Sequence, residues 1–137
     1  MKILVAEDEK DIRELIVFTL HIVGGFDVQD VSNGAEAVAQ APKIAPDLIL
    51  MDVRMPKMNG YEACEQLKKL PETKDIPIVF LSAKGQESEI NAGLRLGAEA
   101  YILKPFAPDE LISQVKDIMA NVARRRQFSS PGRQTPS

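Results

Sequence analysis

Short apolar runs punctuate the chain at KILVA (2–6), FDVQDV (26–31), DLILM (47–51), IPIVFLS (76–82) and AYILK (100–104). Each has the length of a strand, and the residues between them repeat with helical spacing. In the first such stretch Ile12, Leu15, Ile16, Thr19 and Leu20 share a face, and Gly24-Gly25 stops it. The second opens at Ser32-Asn33, residues suited to capping, and carries Ala35, Val38 and Ala39. Pro42 should end or kink it early. A third helix is expected from about Gly60 to Leu70, closed by Pro71, and a fourth from about Gln86 to Leu96, closed by Gly97. The fifth starts near Pro108-Asp109-Glu110 and repeats apolar residues at Leu111, Ile112, Val115, Ile118, Met119 and Val122.

Strands alternating with helices define βαβ units around a parallel sheet covered on both faces. LILM and IVFL are apolar throughout, as strands buried on both sides should be. FDVQDV alternates, which suits an edge strand with one wetter face. With 137 residues and no internal repeat, the chain reads as one three-layer α/β domain.

Composition narrows the class. Hydrophobic residues at 45% and charged residues at 27% are ordinary for a soluble globular protein, and no apolar run could span a bilayer. MKILVAEDEK is too short in apolar content for a secretory signal. The single cysteine, Cys64, excludes an internal disulfide, so a cytoplasmic setting is expected. All 20 acidic residues lie at or before Asp117, whereas Arg124, Arg125, Arg126 and Arg133 lie in the last stretch. An acidic body of this kind argues against direct nucleic-acid binding. Residues 1–123 are read as the folded domain and 124–137 as a basic, largely disordered tail.

The candidate chemistry sits where strands end. In an open parallel sheet, functional groups gather at the carboxyl ends of the strands, near the point where strand order reverses. Those ends carry Glu7-Asp8, Asp52, Ser82 and Lys104. Asp47, at the start of DLILMD, reads as a solvated strand start; Asp52, at its end, follows a run too apolar for a surface. If the first and third strands are neighbours, three carboxylates converge and repel unless a cation intervenes. A hard ion such as Mg²⁺ takes one or two carboxylates and leaves room for a phosphate. Lys104 adds positive charge and Ser82 a hydroxyl, an assembly suited to phosphoryl chemistry with Asp52 as nucleophile.

The motifs VAEDE (5–9), LILMDVRMPKMNG (48–60), VFLSAK (79–84) and GAEAYILKPF (97–106) resemble, in order, those of the receiver domain of two-component response regulators, over about residues 1–122. That resemblance implies a flavodoxin-like (βα)5 fold with strand order 2-1-3-4-5. It implies that Asp52 accepts a phosphoryl group from a histidine kinase or phosphotransfer protein. Glu7, Asp8, Asp52 and the backbone carbonyl of Arg54 are then expected to hold Mg²⁺. Lys104 and Ser82 are expected to contact the phosphoryl oxygens, and Tyr101 to change rotamer in response. Met55-Pro56 and Asn59-Gly60 are expected to shape the loop after Asp52, and Lys104-Pro105 to be a cis peptide. A downstream protein partner is expected on the face of the fourth helix, fifth strand and fifth helix.

Such a domain catalyses only its own phosphorylation and dephosphorylation and is not otherwise an enzyme. A hydrolytic phosphatase is disfavoured, because arginine stands at position 54 where a proton-donating aspartate is wanted. Only 14 residues follow Ala123, too few for a helix-turn-helix domain, so a stand-alone receiver is expected. The alternative is a receiver cut from a larger DNA-binding or enzymatic regulator. His21 reads as a surface or packing residue, and Cys64 as structural.

Overall fold

The computed structural model describes residues 1–83 and 87–129. Its strands are β1 (Lys2–Ala6), β2 (Asp27–Val31), β3 (Leu48–Asp52), β4 (Ile78–Ala83) and β5 (Ala100–Lys104). The helices are α1 (Lys10–Phe18), α2 (Gly34–Ile44), α3 (Gly60–Lys69), α4 (Glu87–Arg95) and α5 (Pro108–Ser129). All strand pairings are parallel, in the order β2-β1-β3-β4-β5. This is the expected doubly wound fold.

Side-chain alternation along each strand divides the core in two. Ile3 and Val5 of β1, Leu48 and Leu50 of β3, and Val79 and Leu81 of β4 pack with Ile16, Leu20, Leu111 and Val115 on the α1/α5 face. Leu4, Ala6, Ile49, Met51, Ile78 and Phe80 pack with Ala37, Ala41, Ala63, Cys64 and Leu67 on the other. The β1–β3 register pairs Ile3 with Leu48 and Ala6 with Met51, which sets Glu7 beside Asp52 at the next step. Asp47 fixes the opposite end of this pairing. Its carboxylate accepts the Lys2 N–H at 2.8 Å, and its own N–H donates to the Lys2 carbonyl at 2.8 Å. It is a strand pin, not merely a solvated start.

Several elements depart from the periodicity reading. Leu15 is 49% exposed, while Ile16, Thr19 and Leu20 go inward. Beyond α1 the helix widens into a π-helical turn over Thr19–Val23, in which Gly24 N–H reaches back to the Thr19 carbonyl. On α2 the buried alanines are Ala37 and Ala41, and Ala39 faces solvent. Pro42 does not end α2, which runs on to Ile44 and stops at left-handed Ala45. Proline removes a single ladder bond, the one its missing N–H would make to the Val38 carbonyl, and only two helical residues follow it. β2 is the edge strand expected, with only Val28 and Val31 partly covered.

The folded body does not stop at Ala123. α5 continues to Ser129, and its arginines bind the body. Arg125 makes two bonds to the Glu99 carboxylate, at 2.7 and 2.6 Å, and Arg126 donates to the Asp75 carbonyl at 2.6 Å. The rest of the expected tail, residues 130–137, lies outside the described residues.

Candidate functional site

Glu7, Asp52 and Lys104 each extend by one step the strand positions whose predecessors, Val5, Leu50 and Ile102, fill the α1/α5 core. The same alternation that buries those aliphatic residues therefore carries charged side chains into one place. Lys104 Nζ lies 3.0 Å from Glu7 Oε1 and 2.9 Å from Asp52 Oδ1. Glu7 is fully buried and Asp52 is 8% exposed, while Asp8 is open to solvent. Carboxylate oxygens of Glu7, Asp8 and Asp52 all lie within 4.8 Å of one another. A cleft of about 450 Å³ opens over them, lined by Asp8, Asp52, Arg54, Ser82 and Lys104 among others.

The loop from Val53 to Asn59 is held rigidly behind Asp52. Gly60 N–H donates to the Val53 carbonyl at 2.8 Å, and a Cβ at Gly60 would lie 2.4 Å from the Asp52 carbonyl oxygen. Only glycine permits that approach. Asn59 caps α3 by accepting the Glu62 N–H, and Glu62 returns the bond to the Asn59 N–H. Lys57 takes a left-handed conformation. Gly34 N–H donates to the Met58 carbonyl at 3.1 Å, tying the loop to α2. Met55-Pro56 and Asn59-Gly60 thus occupy the loop they were expected to shape. The Lys104-Pro105 peptide is cis.

Burial dominates the electrostatics. Withdrawal from water pushes the Glu7 carboxyl above its ordinary value; Lys104 opposes the shift and the Asp52 charge adds to it. Asp52 is likewise raised by burial and by the Asp8 charge, against the pull of Lys104. Burial disfavours the Lys104 charge, but its bonds to Asp52 and Glu7 outweigh that and raise its pKa. A buried acid pair sharing one lysine is an arrangement short of positive charge. Oxygen donors at this spacing suit a hard divalent cation, so the residues present fit Mg²⁺.

The structure brings every expected site residue to this end of the sheet except Tyr101. Ser82 is buried at the cleft wall, and Arg54 is exposed at its rim. Tyr101 lies on the outer face of β5 and is 41% exposed, beside Leu103. Lys84, beyond Ser82, lies outside the described residues. His21 is exposed, with Nδ1 2.7 Å from the Phe26 carbonyl, and Cys64 is fully buried, its thiol pushed up to about 11 by burial. Sequence reading missed Arg13. Its guanidinium donates to the Glu7 carbonyl at 2.8 Å and pairs with Asp30 at 3.1 Å. The available signal was an arginine one helical turn beyond Glu9, too common a pattern to single out.

Comparison with known proteins agrees with this geometry. The family described as response regulator receiver domain matches residues 3–116. The chain is 40% identical over 118 residues to a probable transcriptional regulator, ycf27, of Pyropia yezoensis, covering 86% of this chain and 47% of that protein. It is 40% identical over 122 residues to the phosphate regulon transcriptional regulatory protein PhoB of Escherichia coli, covering 89% and 53%. The chain thus spans about half the length of these curated relatives. Among solved structures, a putative response regulator from Chloroflexus aurantiacus superposes with a TM-score of 0.81 at 36% identity, covering 87% of this chain and 97% of that one. The chemotaxis response regulator CheY4 of Vibrio cholerae gives 0.80 at 31%, covering 85% and 97%.

Fold and site define a signalling domain of the two-component type. The chain belongs to the response regulator receiver domain family. No helix among the described residues is long and apolar enough to cross a membrane.

Proposed function

We propose that this chain is a cytoplasmic phosphorylation switch in which Asp52 is the acceptor. The observation that carries the reading is the convergence of Glu7, Asp8, Asp52 and Lys104 in one cleft, with Lys104 Nζ bonded to both buried acids. An Asp52 oxygen attacks the phosphorus of a phosphohistidine on a histidine kinase or phosphotransfer protein. The P–N bond breaks, the imidazole leaves with a proton, and an acyl phosphate remains on Asp52. Glu7, Asp8, Asp52 and the Arg54 carbonyl would hold Mg²⁺. When bound, that ion supplies charge neutralisation to the phosphoryl oxygens. Lys104 turns from its two carboxylates toward the new oxygens, and the Ser82 hydroxyl donates to one of them.

Output follows at the β5 surface. Leu94 of α4, Tyr101 and Leu103 of β5 leave apolar area exposed on the face expected to meet a partner protein. Inward capture of the phosphoryl group by Ser82 draws the end of β4 with it and lets Tyr101 follow.

The test is incubation with acetyl phosphate, with and without Mg²⁺, followed by intact-mass spectrometry. One added phosphoryl group should appear only with Mg²⁺ and vanish in Asp52→Asn. Its retention in that variant would remove the central claim. On the same samples, amide shifts induced by beryllofluoride with Mg²⁺ should reach Tyr101; shifts confined to the cleft would count against the switch.

A second reading is favoured by the relatives' names and lengths: this receiver controls an attached transcriptional output module. The reading frame around the coding sequence tests it, since a continuing output domain would support it and a stop codon after Ser137 would exclude it.

A further inference from the structure

We propose that Arg13 is a positioning residue for the acids at Glu7 and Asp8, fixing the turn that carries them; this rests on the Mg²⁺-dependent reading above.

The turn from Glu7 to Glu9 joins β1 to α1 with little internal support. Glu9 sits at the N-cap of α1 but makes no side-chain capping bond. Its N–H instead bonds the Glu7 carboxylate at 3.2 Å, which ties a prospective ligand to the turn without anchoring the turn itself. The anchors come from outside. On one side the Glu7 N–H donates to the Val31 carbonyl of β2 at 3.2 Å. On the other, Arg13 donates to the Glu7 carbonyl at 2.8 Å and reaches the Asp8 carbonyl at 3.5 Å. The guanidinium is itself fixed, because its Nε donates to Asp30 on β2 at 3.1 Å. Its side chain is only 18% exposed, so water competes weakly for these bonds.

The bland alternative is a surface ion pair between Arg13 and Asp30, of the kind that contributes little. The carbonyl bonds decide against it. A carbonyl oxygen moves only with its peptide, so releasing Glu7 and Asp8 from Arg13 frees the backbone that aims both carboxylates. Arginine suits the task because its rigid fork reaches Asp30 and the carbonyls together, which a lysine ammonium on a flexible stem does poorly.

Charge and positioning predict opposite signs, which makes the idea testable. By charge alone, removing a cation near an acidic pocket and leaving Asp30 unpaired should strengthen binding of a divalent ion. By positioning, it should weaken it. Partners that orient ligands typically matter by about 10- to 100-fold in metal affinity, and a residue acting through backbone belongs at the low end.

The experiment is calorimetric titration of the intact chain with Mg²⁺, for the parent, Arg13→Ala, Arg13→Lys and Asp30→Asn, each checked for folding by thermal melting. Amide hydrogen exchange is followed in parallel in chelator, where no metal contributes. Arg13→Ala should weaken Mg²⁺ by about tenfold. Arg13→Lys, which keeps the charge and loses the fork, should recover only a small part of that, and Asp30→Asn should cost less than Arg13→Ala. Exchange at residues 8 to 10 should speed up in Arg13→Ala. Unchanged or tighter Mg²⁺ binding in a folded Arg13→Ala overturns the proposal, as does full recovery by lysine. Should Arg13→Ala not fold, the Arg13→Lys comparison decides alone. A parent protein that binds no Mg²⁺ overturns the functional reading instead, and the exchange measurement then judges the clamp: unchanged rates overturn it.

Discussion

Arg54 stands two positions beyond Asp52, exposed at the rim of the cleft, where water must approach to hydrolyse an acyl phosphate. A cation there could stabilise transition-state charge and speed hydrolysis, as an arginine finger does. Lys104 and a bound metal already neutralise much of that charge, so a long side chain over the cleft should matter more by excluding the attacking water. A small amide in its place would open the path and could orient that water. Arg54→Asn is therefore expected to shorten the phosphorylated lifetime by on the order of fivefold, the effect of one oriented hydrogen bond of about 1 kcal/mol. The measurement is decay of the phosphorylated protein after donor removal. Equal or slower decay in the variant would end the occlusion argument. At this scale the sequence was informative for side chains at strand ends, because a charge after an apolar run is conspicuous. It did not single out Arg13, whose carbonyl partners carry no sequence signature and whose charged partner, Asp30, lies 17 residues away on another element.

Among the elements, α5 holds the largest discrepancy with periodicity. Its apolar repeat stops at Val122, so the arginines that follow looked like the start of a tail. What extends the helix is tertiary: Glu99 at the start of β5 and the Asp75 carbonyl after α3 receive Arg125 and Arg126. Neither partner is visible from the local pattern. Arg125 is largely exposed, so the fork to Glu99 should contribute modestly despite its geometry. A double-mutant cycle with Arg125→Ala and Glu99→Gln, read by denaturant unfolding, should give a coupling of about 0.5–1 kcal/mol. Strict additivity would mean that the pair is decorative and that α5 persists to Ser129 for other reasons. The misreading of Pro42 has a simpler origin. Proline predicts a broken helix in an interior, and α2 carries its proline two residues from its end.

Across the whole molecule, the site is installed against the stability of the fold. The folded pKa values of Glu7 and Asp52 lie above their ordinary 4.5 and 3.8. The folded state therefore holds protons more tightly than the unfolded chain. Stability from these groups is complete below the ordinary values and is lost as pH rises through the raised ones. Glu36 and Glu99 behave oppositely. Glu36 is lowered by bonds from Ser32 and Glu99 by Arg125, so their contribution is lost only as pH falls below the ordinary range. The two windows lie on opposite sides of that range. In chelator, unfolding free energy should therefore fall as pH rises from just above the ordinary carboxylate range toward neutrality, and Asp52→Asn should flatten that decline. A flat or rising profile in the parent protein would contradict the burial argument. The parallel sheet was readable beforehand from the alternation of strands and helices, whereas the strand order, and with it the adjacency of β1 and β3 that makes the strand ends converge, came from the motifs' resemblance to receiver domains.

Asp47 has a consequence for how this domain tolerates change in the length of its strands. The interior of β3 is Leu-Ile-Leu-Met, and its neighbour is Ile-Leu-Val-Ala; slid by one residue, these ladders would still match grease to grease. Hydrophobicity therefore cannot proofread the alignment. The aspartate that grips Lys2 stands five positions before Asp52, and Lys2 stands five before Glu7. Two equal rulers, joined at one end, bring their marked ends level at the other. A single-residue deletion inside β3 would leave the strand as apolar as before, yet would withdraw Asp52 by one step and turn it toward the opposite face. Insertions and deletions here are thus judged by chemistry and not by packing, and the spacing between the two aspartates is as much a part of the site as the carboxylates themselves.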